Sequence, residues 1–259
     1  MENEKNVMKR ETGGALATTI FEADADKGIQ NIGQDDLALP FLKVLGHLSP
    51  EVNEKNAKYV KGAKPGMIYN SVTSQLYNGE EGLEVIPCFY KRQYVEWQDR
   101  GDSMGAPVAI HDVGASILKT VKRDKLNKDR LPSGNYLENT ASEYVLVLGD
   151  SPSTAIITMK ATQLKTSRKW NSLISGIKMQ GKNSLFTPAR YSHIYILKTV
   201  QMSNDKGTWF GWDVNLKGGT SDIARVQDSS LYELAKKFSE RLDTSVQTKP
   251  KEKISETEI

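Results

Sequence analysis

Residues 142–218 contain two pairs of β-rich runs with one amphipathic segment between them, and this order restricts the fold more than any other feature. SEYVLVLG (142–149) and TAIITMK (154–160) flank GDSPS, while YSHIYILKTV (191–200) and GTWFGWDVNLKG (207–218) flank QMSNDK. β-Branched and aromatic residues suit a pleated surface, and Gly, Asp, Ser and Asn suit the turns. Two hairpins are therefore expected. Between them Leu164, Leu173, Ile174 and Ile177 recur at near-helical spacing, with Trp170 one turn before Ile174. A helix between two hairpins follows.

The remaining apolar runs are also β-rich. LPFLKVLG (39–46), GMIYNS (66–71) and the long, aromatic LEVIPCFYKRQYVEW (83–97) read as strands. Near the end, DSSLYELAKKFSERLD (228–243) reads as a helix. Ser230 and Glu233 make a capping-box pattern, and Leu231, Leu234, Ala235, Phe238 and Leu242 line one face. Residues 113–130 could hold a short helix that runs into the charge cluster Lys119, Lys122, Arg123, Lys125, Lys128 and Arg130, with Asp124 and Asp129 among them. This stretch is expected to be a mobile excursion, read either as a solvated loop or as a nucleic-acid contact. Residues 1–36 are polar and aperiodic and read as a disordered arm; 243–259 read as a flexible tail. The folded body is then 37–242, mainly β with minor α.

Some functions find no motif here. No run approaches about 18 apolar residues, so no membrane helix is expected. MENEKNVMKRETGG lacks the apolar core of a signal peptide, which points to an intracellular location. A single cysteine, Cys88, has no internal disulfide partner and sits in an apolar run as a core thiol. There is no phosphate loop, no dinucleotide fingerprint and no nucleophile elbow. His47, His111 and His193 are far apart and not in metal-ligand spacing, and His193 reads as structural. The acidic pairs Asp35-Asp36 and Glu80-Glu81 fall in an arm and a turn. No catalytic residue, metal or cofactor is expected.

Charge is more informative where it is uneven. Between Asp150 and Asp205 lie 54 residues without an Asp or Glu, where an even spread of the chain's 32 acids would put about seven. The window holds eight cations: Lys160, Lys165, Arg168, Lys169, Lys178, Lys182, Arg190 and Lys198. With the chain at +3 overall, the rest of it is net −5. A buried region avoids charge of both signs, but here only negative charge is missing. Carboxylates near a bound phosphate cost affinity and encounter rate, so the window suits a polyanion.

Cations interleaved with aromatics suit single-stranded nucleic acid in particular. The backbone asks for Lys and Arg, and each unstacked base gains about 1–3 kcal/mol from a flat π surface. Lys165, Arg168, Lys169, Lys178, Lys182 and Arg190 are the phosphate candidates of the window, and Lys91 and Arg92 join them from the long strand. Trp170, Tyr191, Tyr94 and Trp209 are the stacking candidates. Trp170 and Trp212 read equally as core residues at a helix–sheet junction. Tyr191 and Tyr195 share a strand face that is either all core or all groove. No recognition helix or zinc finger points to duplex DNA.

Strand, turn, strand, helix, strand, turn, strand is also the order around the helix of an OB-fold barrel. On MKATQLKTSRKWNSLI (159–174) and KGTWFGWDVNLKG (206–218), with LPFLKVLGHLSPE and GAKPGMIYNSVT nearer the start, the chain resembles bacteriophage-encoded single-stranded DNA-binding proteins of the OB-fold type. The resemblance implies an OB-like barrel with an inter-strand helix and a C-terminal helix. It also implies non-catalytic, sequence-tolerant binding of single-stranded DNA during phage replication and recombination, in the cytoplasm of the infected bacterium. Phage replication proteins and a second copy of the chain would be its partners. Such proteins often recruit partners through a strongly acidic tail. Here ISETEI has only Glu256 and Glu258, behind Lys249, Lys251 and Lys253, so tail recruitment is not carried over. Two alternatives stand beside this reading: a phage structural or scaffold-type interaction protein, and a metal-dependent nuclease or recombination enzyme whose acids gather in space.

Overall fold

A computed structural model of the protein describes residues 18–25, 27–28, 36–99, 106–149, 151–205, 207–219 and 223–247. The chain divides into two units between Ala38 and Leu39. The first carries a short helix, α1 (Thr18–Ala23), where the sequence reading expects an aperiodic arm. Most of that expected arm, and the tail beyond Gln247, lie outside the described residues.

The second unit is mainly β. Its strands are β1 (Phe41–Val44), β2 (Ile68–Asn70), β3 (Leu76–Tyr77), β4 (Leu83–Trp97), β5 (Ala109–Asp112), β6 (Lys122–Arg123), β7 (Asp129–Arg130), β8 (Tyr136–Val147), β9 (Ser153–Lys160), β10 (Met179–Gln180), β11 (Leu185–Phe186), β12 (Tyr195–Asn204) and β13 (Gly207–Leu216). Two helices complete it, α2 (Leu164–Gly176) and α3 (Ser229–Gln247). The main sheet runs β13-β12-β4-β8-β9-β1-β2-β3, with β5 paired to β4 and the β6–β7 ribbon paired to β8. Both expected hairpins form, as β8–β9 and β12–β13.

This sheet curls into a half-barrel. At the seam, the Thr199 N–H on β12 donates to the Gly79 carbonyl just beyond β3 at 2.8 Å, and the Thr199 hydroxyl donates to Gly66 O. Glycine is required at 79: a Cβ there would sit 1.9 Å from Gly66 O and 2.1 Å from Thr199 Oγ1. The seam therefore closes only because that position has no side chain.

The two helices cover opposite faces. α2 inserts fully buried Trp170 among Val85, Ala141, Val145, Ile157, Met159, Tyr195, Leu197, Trp212 and Val214. These residues alternate along their strands, so one parity of each strand forms this core. α2 also covers the outer edge of β13. The Trp212 N–H donates to Gln163 Oε1 at 2.8 Å, and the Thr166 hydroxyl donates to Trp212 O at 3.3 Å. α3 covers the other face, packing Ala235 and Phe238, with Leu231 and Leu242, over Ile86, Cys88, Tyr144 and Leu146. Cys88 is buried as expected, and burial pushes its thiol up to about 12.

Three local expectations are corrected. The cap of α3 is Asp228, whose Oδ1 accepts from the N–H groups of Ser230 (2.7 Å) and Leu231 (3.3 Å); the Ser230/Glu233 box is not the capping device. Leu234, assigned to the buried face, is 41% exposed, and α3 continues five residues past Leu242 to Gln247, into the expected tail. Residues 106–135 form β5, a 3-10 turn at Ser116–Thr120 and the β6–β7 ribbon in place of a helix and mobile loop. Arg130 holds that ribbon by ion pairs to Asp99 (2.7 Å) and Asp124 (2.9 Å), and Glu96 joins β4 to β5 through His111 (2.7 Å).

Candidate nucleic-acid interface

A bulge in β4 decides which of its side chains share a face with α2. Pro87 has no N–H to give the ladder, and the register against β8 shifts between Pro87 and Phe89. Before the shift, Leu83 and Val85 face α2; after it, Tyr90, Arg92 and Tyr94 do, opposite Glu143, Ala141 and Asn139. Lys91 is thereby turned to the other face. Its ammonium pairs with Asp112 at 3.3 Å and its side chain is only 14% exposed, so it leaves the candidate site.

Arg92 and Tyr94 remain. Arg92 Nε donates to Asn139 Oδ1 at 3.0 Å and Nη2 to the Tyr94 hydroxyl at 3.3 Å, and the guanidinium lies 5.9 Å from the Tyr94 ring centre. Asn139 also lines an open cleft of about 720 Å³ between the β6–β7 ribbon and the start of α2. Arg123, Lys128, Tyr136, Thr162 and Leu164 line the same cleft, together with the carboxylates Asp129 and Glu138, which pair with Arg123 and Lys160.

α2 has two charged sides of different character. Lys165 and Arg168 are exposed on its outer face, and neither makes an ion pair among the described residues. Lys169 reaches the β13 edge and pairs with Asp213 at 3.0 Å, with half of its side chain still in solvent. Trp209 is half-buried on β13, on the face of Gly211 and Asp213 and opposite Met202. Met202 accepts from the Gln163 amide at 3.3 Å, which places Trp209 beside the 3-10 turn that leads into α2. The start of α2 thus lies between the cleft at Asn139 and the Trp209 strand.

Other sequence candidates are elsewhere. Trp170 is fully buried with its ring 5.8 Å from Tyr195, so it is a core residue and no base can stack on it. Tyr191 lies in a 3-10 turn, Arg190–Ser192, and not in a strand. Its ring packs edge-on to Tyr232 of α3 at 5.2 Å, away from α2. Arg190 points inward to Glu143, donates to Asn171 Oδ1 at 2.7 Å and lies over Tyr90 at 5.5 Å. It is no surface phosphate ligand in this arrangement. Lys178 and Lys182 are exposed, but on the β10–β11 arm beyond α2.

Glu143 was not anticipated. It shares parity with Ala141, Val145 and Val147 on the α2 face and is fully buried, with Ser167 donating to it at 3.4 Å. Burial pushes its carboxyl up, and Arg190 and then Ser167 pull it back, leaving it at about 7. In the same core, Arg190 Nε, Trp170 Nε1 and Tyr195 OH are buried without hydrogen-bond partners among the described residues. The sequence signal was a lone acid in an alternating apolar strand, SEYVLVLG.

Among the described residues no group of three His, Cys, Asp or Glu side chains is placed to hold a metal ion, and no helix is long and apolar enough to cross a membrane. The Pam3 phage gp34-like protein family matches residues 10–247, and the chain belongs to that family. No curated protein and no solved structure matches it.

Proposed function

We propose that this phage protein binds single-stranded DNA, without catalysis and without strong sequence preference, across the outer face of α2. The observation that carries the reading is the pair Lys165 and Arg168, exposed and without acidic partners among the described residues, on a helix whose first turn lines the same cleft as Asn139, the hydrogen-bond partner of Arg92. Cations along a groove take the phosphates, and flat rings take the bases at about 1–3 kcal/mol each. Lys165, Arg168, Lys169, Arg92 and Arg123 are the phosphate contacts of this reading, and Tyr94 and Trp209 the stacking residues. The half-barrel is read as OB-like, with the strand crossing beside its inter-strand helix. Membership of a phage family fits a role in replication or recombination inside the infected cell.

The test is titration of a fluorescent oligo-dT of about 30 nucleotides, with a matched duplex alongside, at several salt concentrations. Binding should prefer the single strand, and its log–log salt slope should be near −0.7 per phosphate contact. Replacing Lys165 and Arg168 together with Ala should flatten that slope by about 1.4 and leave the melting temperature unchanged. Equal affinity of this double variant and the parent at low salt would remove α2 from the interface.

A second reading, a structural or scaffold-type phage component, rests on the apolar residues that the β10–β11 arm leaves in solvent. Absence of binding to either nucleic acid at low salt would put it first.

A further inference from the structure

The arm at 178–187 is a two-pair ribbon, Met179↔Phe186 and Gln180↔Leu185, and its Leu185 is 64% and Phe186 45% exposed. A ribbon this short has little stability of its own, and nothing in the described part of the chain covers its apolar residues. It carries Lys178 and Lys182 and no carboxylate.

A groove of about 770 Å³ has the opposite charge. It lies between the β8–β9 turn and the first turns of α3, with Leu148, Pro152, Leu231 and Leu234 as apolar lining. Asp228 and Glu233 line it against one cation, Lys237. Hydrogen bonds from Ser230 and Leu231 hold the Asp228 carboxyl below the usual range, so it is charged at neutral pH. Leu234 belongs to the apolar stripe of α3 and yet is 41% exposed, because this groove stands open.

We propose that the β10–β11 arm of one copy docks in this groove of a second copy, Phe186 and its cross-strand neighbour Met179 against Leu234 and Leu231, with Lys178 and Lys182 facing Asp228 and Glu233. Charge complementarity selects the occupant: a basic ribbon with an apolar tip fits an acidic groove with an apolar floor. Arm and groove are different patches, so the contact is heterologous, and each docked copy offers a free arm at one end and a free groove at the other. Assembly is then head-to-tail and open-ended. A contact of one short ribbon is small, which places it in the weak, concentration-dependent class.

The experiment is sedimentation velocity of the full chain without nucleic acid over a wide concentration range. The parent should grow in size with concentration without stopping at a dimer. Phe186→Asp removes the arm and Leu234→Asp removes the groove, and each alone should stay monomeric. An equimolar mixture of the two should give a 1:1 dimer and nothing larger, since one partner keeps its arm and the other its groove. Both positions are exposed, so melting curves should match the parent. Charge reversal gives a second route that leaves the apolar residues in place. Lys182→Glu and Glu233→Lys should each weaken assembly, and mixing them should restore open-ended assembly, because both contacts between the two variants again join opposite charges. A parent that stays monomeric overturns the proposal. So do a dimer that Leu234→Asp leaves intact and a mixture of the two Asp variants that stays monomeric. Neither pair of variants touches Lys165 or Arg168, so failure here leaves DNA binding on α2 to be judged by its own titration.

Discussion

Replacing Glu143 with Gln should remove a specific pH dependence of stability. In the native state the carboxyl titrates at about 7; in the unfolded chain it returns to about 4.5. The native state therefore holds the proton more tightly. Its stabilising contribution is full below the unfolded value and is lost as pH rises through about 7. A shift of this size is worth about 2–3 kcal/mol between pH 5 and pH 8. Urea denaturation of parent and E143Q across that range reads it directly. The parent should lose about 2–3 kcal/mol relative to E143Q, most of it before pH 7. Arg190→Met supplies the companion test. At pH 8 it strands a buried carboxylate without its partner, a loss of about 3–5 kcal/mol. At pH 5 the carboxyl is neutral in that variant, and the loss should be much smaller. Parallel pH profiles for parent and E143Q would refute the reasoning, because a carboxylate that titrates in its ordinary range is not held by burial.

Two further outcomes check the packing and the interface. Phe238→Ala should destabilise by about 3–5 kcal/mol, as a large-to-small change under α3, while Leu234→Ala should stay within about 0.5 kcal/mol; equivalent losses in urea melts would mean that both lie in the core. Oligo-dT should quench tryptophan emission in the parent and do so far less in Trp209→Phe, since Trp170 and Trp212 are buried and half-buried Trp97 lies on the face of β4 opposite Tyr94; undiminished quenching in W209F would move stacking to another ring.

The element types were legible because alternation and helical spacing are local. Leu83 to Trp97 reads as one strand and forms one, and both hairpins and the helix between them form where expected. Parity was not legible in the same way. A single bulge at Pro87 reverses the facing of everything after it, so Arg92, and not its neighbour Lys91, lies on the α2 face. Trp170 was legible only as an alternative between core and stacking, because the face of α2 that carries it is chosen by the sheet it meets. Arg190 read as a surface cation because its partner Glu143 is 47 residues away. Leu234 fell on the apolar stripe by periodicity, yet periodicity places a residue on a face and does not guarantee that a neighbour covers that face.

The acid-free window shows how charge along a chain differs from charge on a surface. Its missing acids are supplied by neighbours in space: Glu138 meets Lys160, Glu143 meets Arg190, and Asp213 meets Lys169. Strand pairing makes this unavoidable, since β8 lies beside β9, and α2 lies on the β13 edge. The supply is nevertheless uneven. Glu143 goes to the interior under α2, and Asp213 reaches only the side of α2 nearest the sheet. Lys165 and Arg168 stand on the side turned away from every strand, where no cross-strand acid among the described residues pairs with them. A helix laid on a sheet always has such a side, and charge there is set mainly by the helix's own sequence. The deficit of acids in the window therefore has its strongest effect on that one face. If a polyanion binds this protein, its salt dependence should follow Lys165 and Arg168 far more than Lys160, Lys169 or Arg190, although all five belong to the same acid-free stretch.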